Sequence, residues 1–379
     1  MSMNSRAGHA LRPGRVLLLG LGLVALWNWR QWRRDRTLNR QRREQKPTPV
    51  ELNATLRVSV LVAAWNEADL IQQHVESFLA LRYPDKELVL CAGGQDGTYE
   101  LSRCYMSTLV RVLEQRPGEG KQRALRRCLE QATGAVIYLT DGDCLFSDET
   151  FERTLAPVIN REAAASTGRS RPLSRQLDSA FVAYQWTADE YEALRAPATS
   201  PGLLGRNCAI RAEALETIGA FEHVAPTGTD YLLARQLLRS GYSIVHVRSS
   251  AVETRYPASL SAYFRQRSRW LGNLIVIGLK TGDVRQAYYG LRSAALGTGI
   301  LLMPLLAFAF GPVVLALWFV ALGHGVLARI RYVSLHEFPG DVPKYKIAAA
   351  GILTLAVDLL GWGSAWARCL LSSWRYRWG

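Results

Sequence analysis

Beyond residue 285 the chain changes character, and that change limits every fold open to it. Ser293 to Phe310 and Val313 to Leu327 are apolar runs split by Gly311-Pro312, and Ile347 to Trp366 is a third, interrupted only by Asp358. Runs of this length match the hydrocarbon thickness of a bilayer. The first two read as a hairpin, since about 35 residues exceed one crossing; a bent single helix is the alternative. At the other end, Val16 to Trp29 is apolar but short for a span. No small-x-small cleavage site follows it, and the sequence passes directly into Arg30-Gln31-Trp32-Arg33-Arg34. An uncleaved, short or tilted anchor with interfacial aromatic residues is expected, with a helix lying flat in the interface as the alternative.

A net charge of +14 would ordinarily raise nucleic acid as a partner. Its location argues otherwise. The first fifty residues hold eleven Lys or Arg against Asp35 and Glu44, nine of the fourteen net charges, and most follow the apolar stretch. A basic run abutting a hydrophobic segment reads as a cytoplasmic anchor on anionic lipid, so no nucleic acid is expected. The later charges give a mixed orientation signal. Arg329, Arg331, Lys344 and Lys346 favour an inside loop, yet Arg368, Arg375 and Arg377 favour inside as well. Either the 347–366 segment is re-entrant or the crossings are miscounted by one. The six cysteines include no Cys-x-x-Cys and histidine is sparse, so neither a zinc site nor a disulfide framework is suggested.

Between these ends the pattern is α/β. Arg57 to Ala64 is a continuous apolar run ended by Asn66-Glu67, read as a buried strand. Ala68 to Leu81 has helical spacing and stops at Tyr83-Pro84. Further strands are expected at Glu87 to Cys91, Val110 to Leu113 and Ala135 to Thr140, with a helix from Lys121 to Ala132. Such alternation predicts a mainly parallel sheet, whose ligands gather at the carboxyl ends of the strands. Asn66-Glu67, Asp96 and Asp141-Gly142-Asp143 all fall at such ends. The expected organisation is an N-terminal membrane anchor (1–29), a basic linker (30–54), the α/β domain (55–256), an amphipathic interface helix (257–285) and a C-terminal transmembrane region (286–379).

Asp141 and Asp143 offer two carboxylates with a small residue between them, suited to a hard cation shared with substrate phosphates. A plain surface turn is the structural alternative. Asp230, in Pro226-Thr227-Gly228-Thr229-Asp230-Tyr231, reads as a helix-start acid or as a general base taking a proton from an acceptor hydroxyl. On a helix Gln266, Arg269 and Trp270 stand at i, i+3 and i+4 and share a face. An amide, a guanidinium fork and an indole suit a pyrophosphate beside a flat polar ring, though an amphipathic helix on a membrane shows the same residues. Asp358 is costly in an apolar segment and reads as functional, with His324 as a partner, or as a bundle-interior acid. Asp189, Glu190 and Glu192 read as a solvated helix.

A strand-end Asp, then Asp-x-Asp, Thr-x-Asp and Gln-x-x-Arg-Trp, followed by membrane segments, resembles the membrane-bound branch of glycosyltransferase family 2. That branch includes ceramide glucosyltransferase-like enzymes and processive polysaccharide synthases, and the resemblance covers roughly residues 55–280. It implies a GT-A fold, a nucleotide-sugar donor (UDP by family frequency), Mg²⁺ or Mn²⁺, and inversion at the anomeric carbon. By the resemblance, Asp141 and Asp143 hold the donor diphosphate through the metal and Asp230 is the catalytic base. Gln266, Arg269 and Trp270 hold the diphosphate and line the acceptor site. Asn66, Glu67, Asp96 and Lys121 match positions near the nucleotide. Cys91-Ala92 departs from the family's Asp pair, which removes a carboxylate expected near the base and ribose. Thr-Gly-Thr-Asp replaces the commoner Thr-Glu-Asp, which leaves Asp230 as the base candidate there. The expected function is single sugar transfer to a membrane-associated lipid or glycan acceptor, with the catalytic domain cytoplasmic. A processive polysaccharide synthase and a catalytically degenerate membrane scaffold are the alternatives.

Overall fold

The computed structural model describes residues 12–44, 50–222 and 228–375, with side chains to residue 365. Within them the chain forms two units, one of residues 12–44, 178–194 and 257–375 and the other of 50–177, 195–222 and 228–256.

Helix α1 (Pro13–Glu44) opens the first unit. It does not stop at Trp29, so residues 30–44, expected as linker, continue the helix. No Gly or Pro interrupts that stretch, and i,i+4 contacts support it. Arg33 lies over Trp29, Arg36 lies over Trp32, and Arg40 pairs with Glu44. Lys46-Pro47-Thr48-Pro49 lies outside the described residues.

The second unit is a mixed α/β sandwich. Its strands are β1 (Val58–Trp65), β2 (Lys86–Gly93), β3 (Val110–Glu114), β4 (Val136–Asp141), β5 (Cys144–Leu145), β6 (Ala165–Pro172), β7 (Cys208–Arg211) and β8 (Ile244–Thr254). Helices α2 (Ile71–Leu79), α3 (Thr98–Arg103), α4 (Gly120–Gln131) and α5 (Asp148–Ile159) come between the earlier strands. Helix α6 (Ala180–Arg195) belongs to the first unit up to Leu194, and α7 (Ala212–Thr217) and α8 (Thr229–Arg239) return to the second.

The sheet order is β3-β2-β1-β4-β7-β6-β8-β5. The four strands anticipated from apolar runs are mutually parallel, whereas β7 runs antiparallel to both β4 and β6. Side chains alternate between two apolar layers. Leu61, Val89 and Leu139 pack with Ala124, Leu125 and Leu233, while Val60, Leu88 and Tyr138 pack with Val75, Phe78 and Phe151. Burying each large apolar side chain is worth about 1.5–3 kcal/mol. A one-residue slip would exchange the layers, so the register of the strand ends is firmly set.

The first unit continues with α9 (Leu260–Lys280), α10 (Val284–Phe310), α11 (Pro312–Leu335) and α12 (Lys344–Arg375). Gly311, at φ 86°, separates α10 from α11, so the 293–327 stretch is two helices. Helix α10, α11 and the Lys344–Ala365 part of α12 are long and apolar enough to cross a membrane. Helix α1 runs in the same direction as α11, with Leu21 against Gly323, the Asn28 amide on His324 Nδ1 (3.1 Å) and Trp32 donating to Ser334 (3.0 Å). Buried Asp35 accepts from Tyr191 (3.1 Å) and lies 3.9 Å from Arg331. His324 is therefore not the partner of Asp358. That acid accepts from Tyr263 (2.8 Å) and pairs with Arg329, whose place on α11 turns it toward α12. The side chains of Arg368 and Arg375, and all of Arg377, lie outside the described part.

Candidate functional site

Strands β1, β2 and β4 end at the same edge of the sheet because they are parallel and in register, with Ala63 opposite both Cys91 and Asp141. Asp141 is the last residue of β4. Lys121, in the first turn of α4, pairs through Nζ with Asp141 Oδ1, and Arg206 Nε lies 4.0 Å from Oδ2. Partial desolvation would depress the Lys121 ammonium, whose side chain is 43% exposed, but Asp141, with a smaller push from Asp230, carries it above the ordinary lysine range. Gly142 stands against β1, where an added Cβ would come 2.8 Å from that of Ala64. Asp143 follows, and its Oδ1 accepts from Thr254 Oγ1 (3.2 Å). The short pairing of β5 with the end of β8, Cys144 opposite Thr254, brings that hydroxyl to it.

Asp143 and Glu67 lie among other carboxylates. Burial first, and then Asp141, push Asp143 up. Burial and then Asp143 push the Glu67 carboxyl up to about 7, against the opposing pull of Arg255, which donates to Glu67 (3.0 Å) and Asp69 (2.8 Å). Carboxylates that raise one another in this way suit a cation. Among the described residues no three His, Cys, Asp or Glu side chains are grouped to hold an ion by themselves. A cation would have Asp141 and Asp143 and would draw its other ligands from phosphate oxygens and water, as Mg²⁺ ordinarily does. The residues fit such an ion.

Glu67 also carries a testable sign. Its folded value of about 7 exceeds the usual 4.5, so the folded chain binds this proton more tightly than the unfolded chain. The resulting stability is full below the unfolded value and is lost as pH rises through about 7. In metal-free protein Glu67→Gln should be nearly neutral at pH 5 and raise the melting temperature by roughly 2–5 °C at pH 8.5. Equal differences at the two pH values would contradict the burial.

Asp230 lies in the first turn of α8, behind a left-handed Gly228 (φ 75°) that occupies the cap. Its two oxygens accept from backbone amides, Oδ1 from Tyr231 (2.9 Å) and Oδ2 from Gly205 (3.2 Å). A Cβ at Gly205 would sit 2.9 Å from the Asp230 Cβ, so a larger residue there would displace the acid. The turn through Gly205 and Arg206 therefore touches both Asp230 and Asp141. Pro226 and Thr227 of the same motif lie outside the described residues.

Asn66 and Asp96 are engaged locally. Asn66 adopts φ 58° and its Oδ1 accepts from Gln95 N (2.9 Å). Asp96 accepts from the amides of Ala68 (3.0 Å) and Thr98 (3.1 Å) and from the Thr98 hydroxyl (2.6 Å). Against the upward push of burial, these bonds hold its carboxyl below the usual range. The Thr98 hydroxyl in turn accepts from Glu67 N (2.8 Å), so the two residues brace the loop that presents Glu67. Cys91 is fully buried in the layer that holds Cys128 and Ala124, with the Arg127 guanidinium 3.9 Å from its Sγ, and it offers no carboxylate to a ligand.

Gln266, Arg269 and Trp270 lie on α9, in the first unit. Arg269 is exposed, and the other two are partly buried. Trp270 has a neighbour the motif does not include: the Arg267 guanidinium lies 5.2 Å from its ring and equally far from that of Tyr263. Arg267 is also 3.8 Å from Asp189, so this acid of α6 faces a cation rather than solvent alone. Arg206 and Arg255 escape sequence reading altogether. Neither sits in a recognisable spacing, and their acidic partners are distant in the chain.

Residues 56–273, more than half the chain, match a family model described as "Glycosyltransferase like family 2". Glycosyltransferase AglE of Haloferax volcanii is 24% identical over 198 residues, which cover 49% of this chain and 63% of that protein. The probable glycosyltransferase YdaM of Bacillus subtilis is 26% identical over 262 residues, 64% of this chain and 60% of that one. The chain thus spans about three-fifths of the length of either relative. Among solved structures, the mannosyltransferase PcManGT from Pyrobaculum calidifontis, in complex with GDP-Man and Mn²⁺, is similar with a TM-score of 0.56 and 20% identity. The match covers 94% of this chain and 97% of that one. That likeness is one of fold, and it bears out the GT-A expectation.

Proposed function

The chain belongs to glycosyltransferase-like family 2, and on that premise we propose that it moves one sugar from a nucleoside-diphosphate donor to a hydroxyl of a membrane-associated lipid or glycan. The observation that carries the reading is the grouping at one sheet edge of the Asp141–Lys121 pair, Asp143, and Asp230 bound through the adjoining Gly205. In the reaction the bond from the anomeric carbon to the diphosphate oxygen breaks, and its electron pair leaves with the diphosphate. The acceptor oxygen bonds to that carbon from the opposite face, giving inversion, and its proton passes to Asp230. Lys121 offsets charge on the departing diphosphate. A divalent cation held by Asp141 and Asp143 would add Lewis-acid stabilisation of the same charge.

Glu67, Asn66 and Asp96 border the nucleotide in this reading. Gln266, Arg269 and Trp270 keep the diphosphate and acceptor roles their motif implies, supported by that motif and by their place on one helix. The three apolar helices support an integral membrane protein. The basic second half of α1, after which the sequence enters the α/β unit with no apolar run between, supports a cytoplasmic catalytic unit. UDP-sugars, by family frequency, and GDP-mannose, bound in PcManGT, are the donors to try first.

Labelled donor, Mn²⁺, membrane lipid extract and purified protein should give lipid carrying a single sugar, sized by mass spectrometry. A long polymer would replace this reading with a processive synthase. No labelled product from any nucleotide sugar would favour the inactive scaffold.

A further inference from the structure

Asp141 has two basic partners, and the second, Arg206, belongs to none of the motifs. Its side chain is only 16% exposed, and at 4.0 Å its contact with Asp141 is an ion pair without a hydrogen bond, one that the guanidinium can exchange. The backbone beneath it is fixed. Arg206 O accepts from Thr140 Oγ1 (3.0 Å), and Gly205 N donates to Asp230 (3.2 Å). Fully buried Asn207 accepts from Tyr138 (2.7 Å) and Thr154 (2.9 Å) and donates to Arg169 O (2.9 Å). Lys121 and Arg206 reach different oxygens of Asp141, one from α4 and the other from the turn before β7.

We propose that Arg206 binds the diphosphate of the nucleotide donor together with Lys121, so that the site has a cationic half that acts without a metal ion. This rests on the donor-site reading above. A diphosphate carries more charge than one carboxylate and offers several oxygens, and a guanidinium meets phosphate with a fork that an ammonium lacks. A guanidinium is also the more weakly hydrated cation, which suits a place so little exposed.

UDP and GDP are the probes, titrated calorimetrically into the solubilised full chain in EDTA and in Mn²⁺, with uridine and guanosine as controls lacking phosphate. The wild type should bind one diphosphate in EDTA. Arg206→Gln should weaken that metal-free binding on the order of tenfold, Arg206→Lys by about threefold, with nucleoside binding unchanged. Equal metal-free affinity in Arg206→Gln and wild type, with Mn²⁺-supported binding intact, overturns the role of Arg206 and leaves the donor site standing. A wild type that binds a diphosphate only with Mn²⁺ overturns it too. No binding of either diphosphate under any condition removes the donor-site reading itself. If Arg206→Gln loses its cooperative melt, Arg206→Lys decides, since unchanged affinity there overturns the proposal and a drop supports it.

Discussion

Asp230→Asn should lower sugar transfer by about three orders of magnitude while donor affinity changes by less than about twofold. The substitution is nearly isosteric, so α8 and its left-handed cap are undisturbed. It does exchange one acceptor oxygen for an amide nitrogen, and either the Gly205 or the Tyr231 amide then loses its partner. That costs about 1 kcal/mol of stability, too little to unfold the domain. What the variant cannot do is take the acceptor's proton. Metal-supported donor binding, measured beside single-turnover transfer, separates the two effects. Full transfer by Asp230→Asn would remove this residue from the mechanism.

Asp143→Asn should abolish metal-supported donor binding and lower transfer at least about 100-fold. Of the two acids, Asp143 is the more dependent on an added cation. Asp141 already has Lys121 and Arg206, whereas Asp143 meets the Thr254 hydroxyl and is pushed up by burial and by Asp141. Removing its charge relieves that crowding, so the metal-free variant should melt no lower than the wild type. A lower melting temperature together with lost activity would point to a folding defect instead. Unchanged Mn²⁺-dependent binding would take the metal away from Asp143.

The parallel half of the sheet is legible because β1, β2 and β4 are buried on both faces and so are mostly apolar, and the polar Ser59 of β1 and Glu87 of β2 hydrogen-bond to each other. Strand β7 has only four residues and leads at once into α7, so no alternation marks it. The spacing of the chain marks Asp141, Asp143 and Asp230 as candidates, but not the turn that touches Asp141 and Asp230. Gly205 and Arg206 are set there by the buried Asn207, whose partners come from three other parts of the chain. Residues 30–44 look like a linker because composition records their charge and not their partners. Asp35 is buried against Tyr191 and Arg331, both remote in sequence. The same limit applies to Asp358. An apolar window shows that an acid is embedded, but the direction it faces depends on helix rotation, and that direction selects Arg329 and Tyr263 over His324.

If the acids at this sheet edge transfer a sugar from a nucleotide donor with the help of a metal, nucleoside diphosphate is released only when both are intact. The most direct measurement is release of nucleoside diphosphate by purified protein supplied with UDP- and GDP-sugars and membrane lipid extract. Wild type should release it with Mn²⁺ and not with EDTA, and Asp143→Asn and Asp230→Asn should release almost none. Release by both variants at the wild-type rate, or none by the wild type from any donor, would contradict the account.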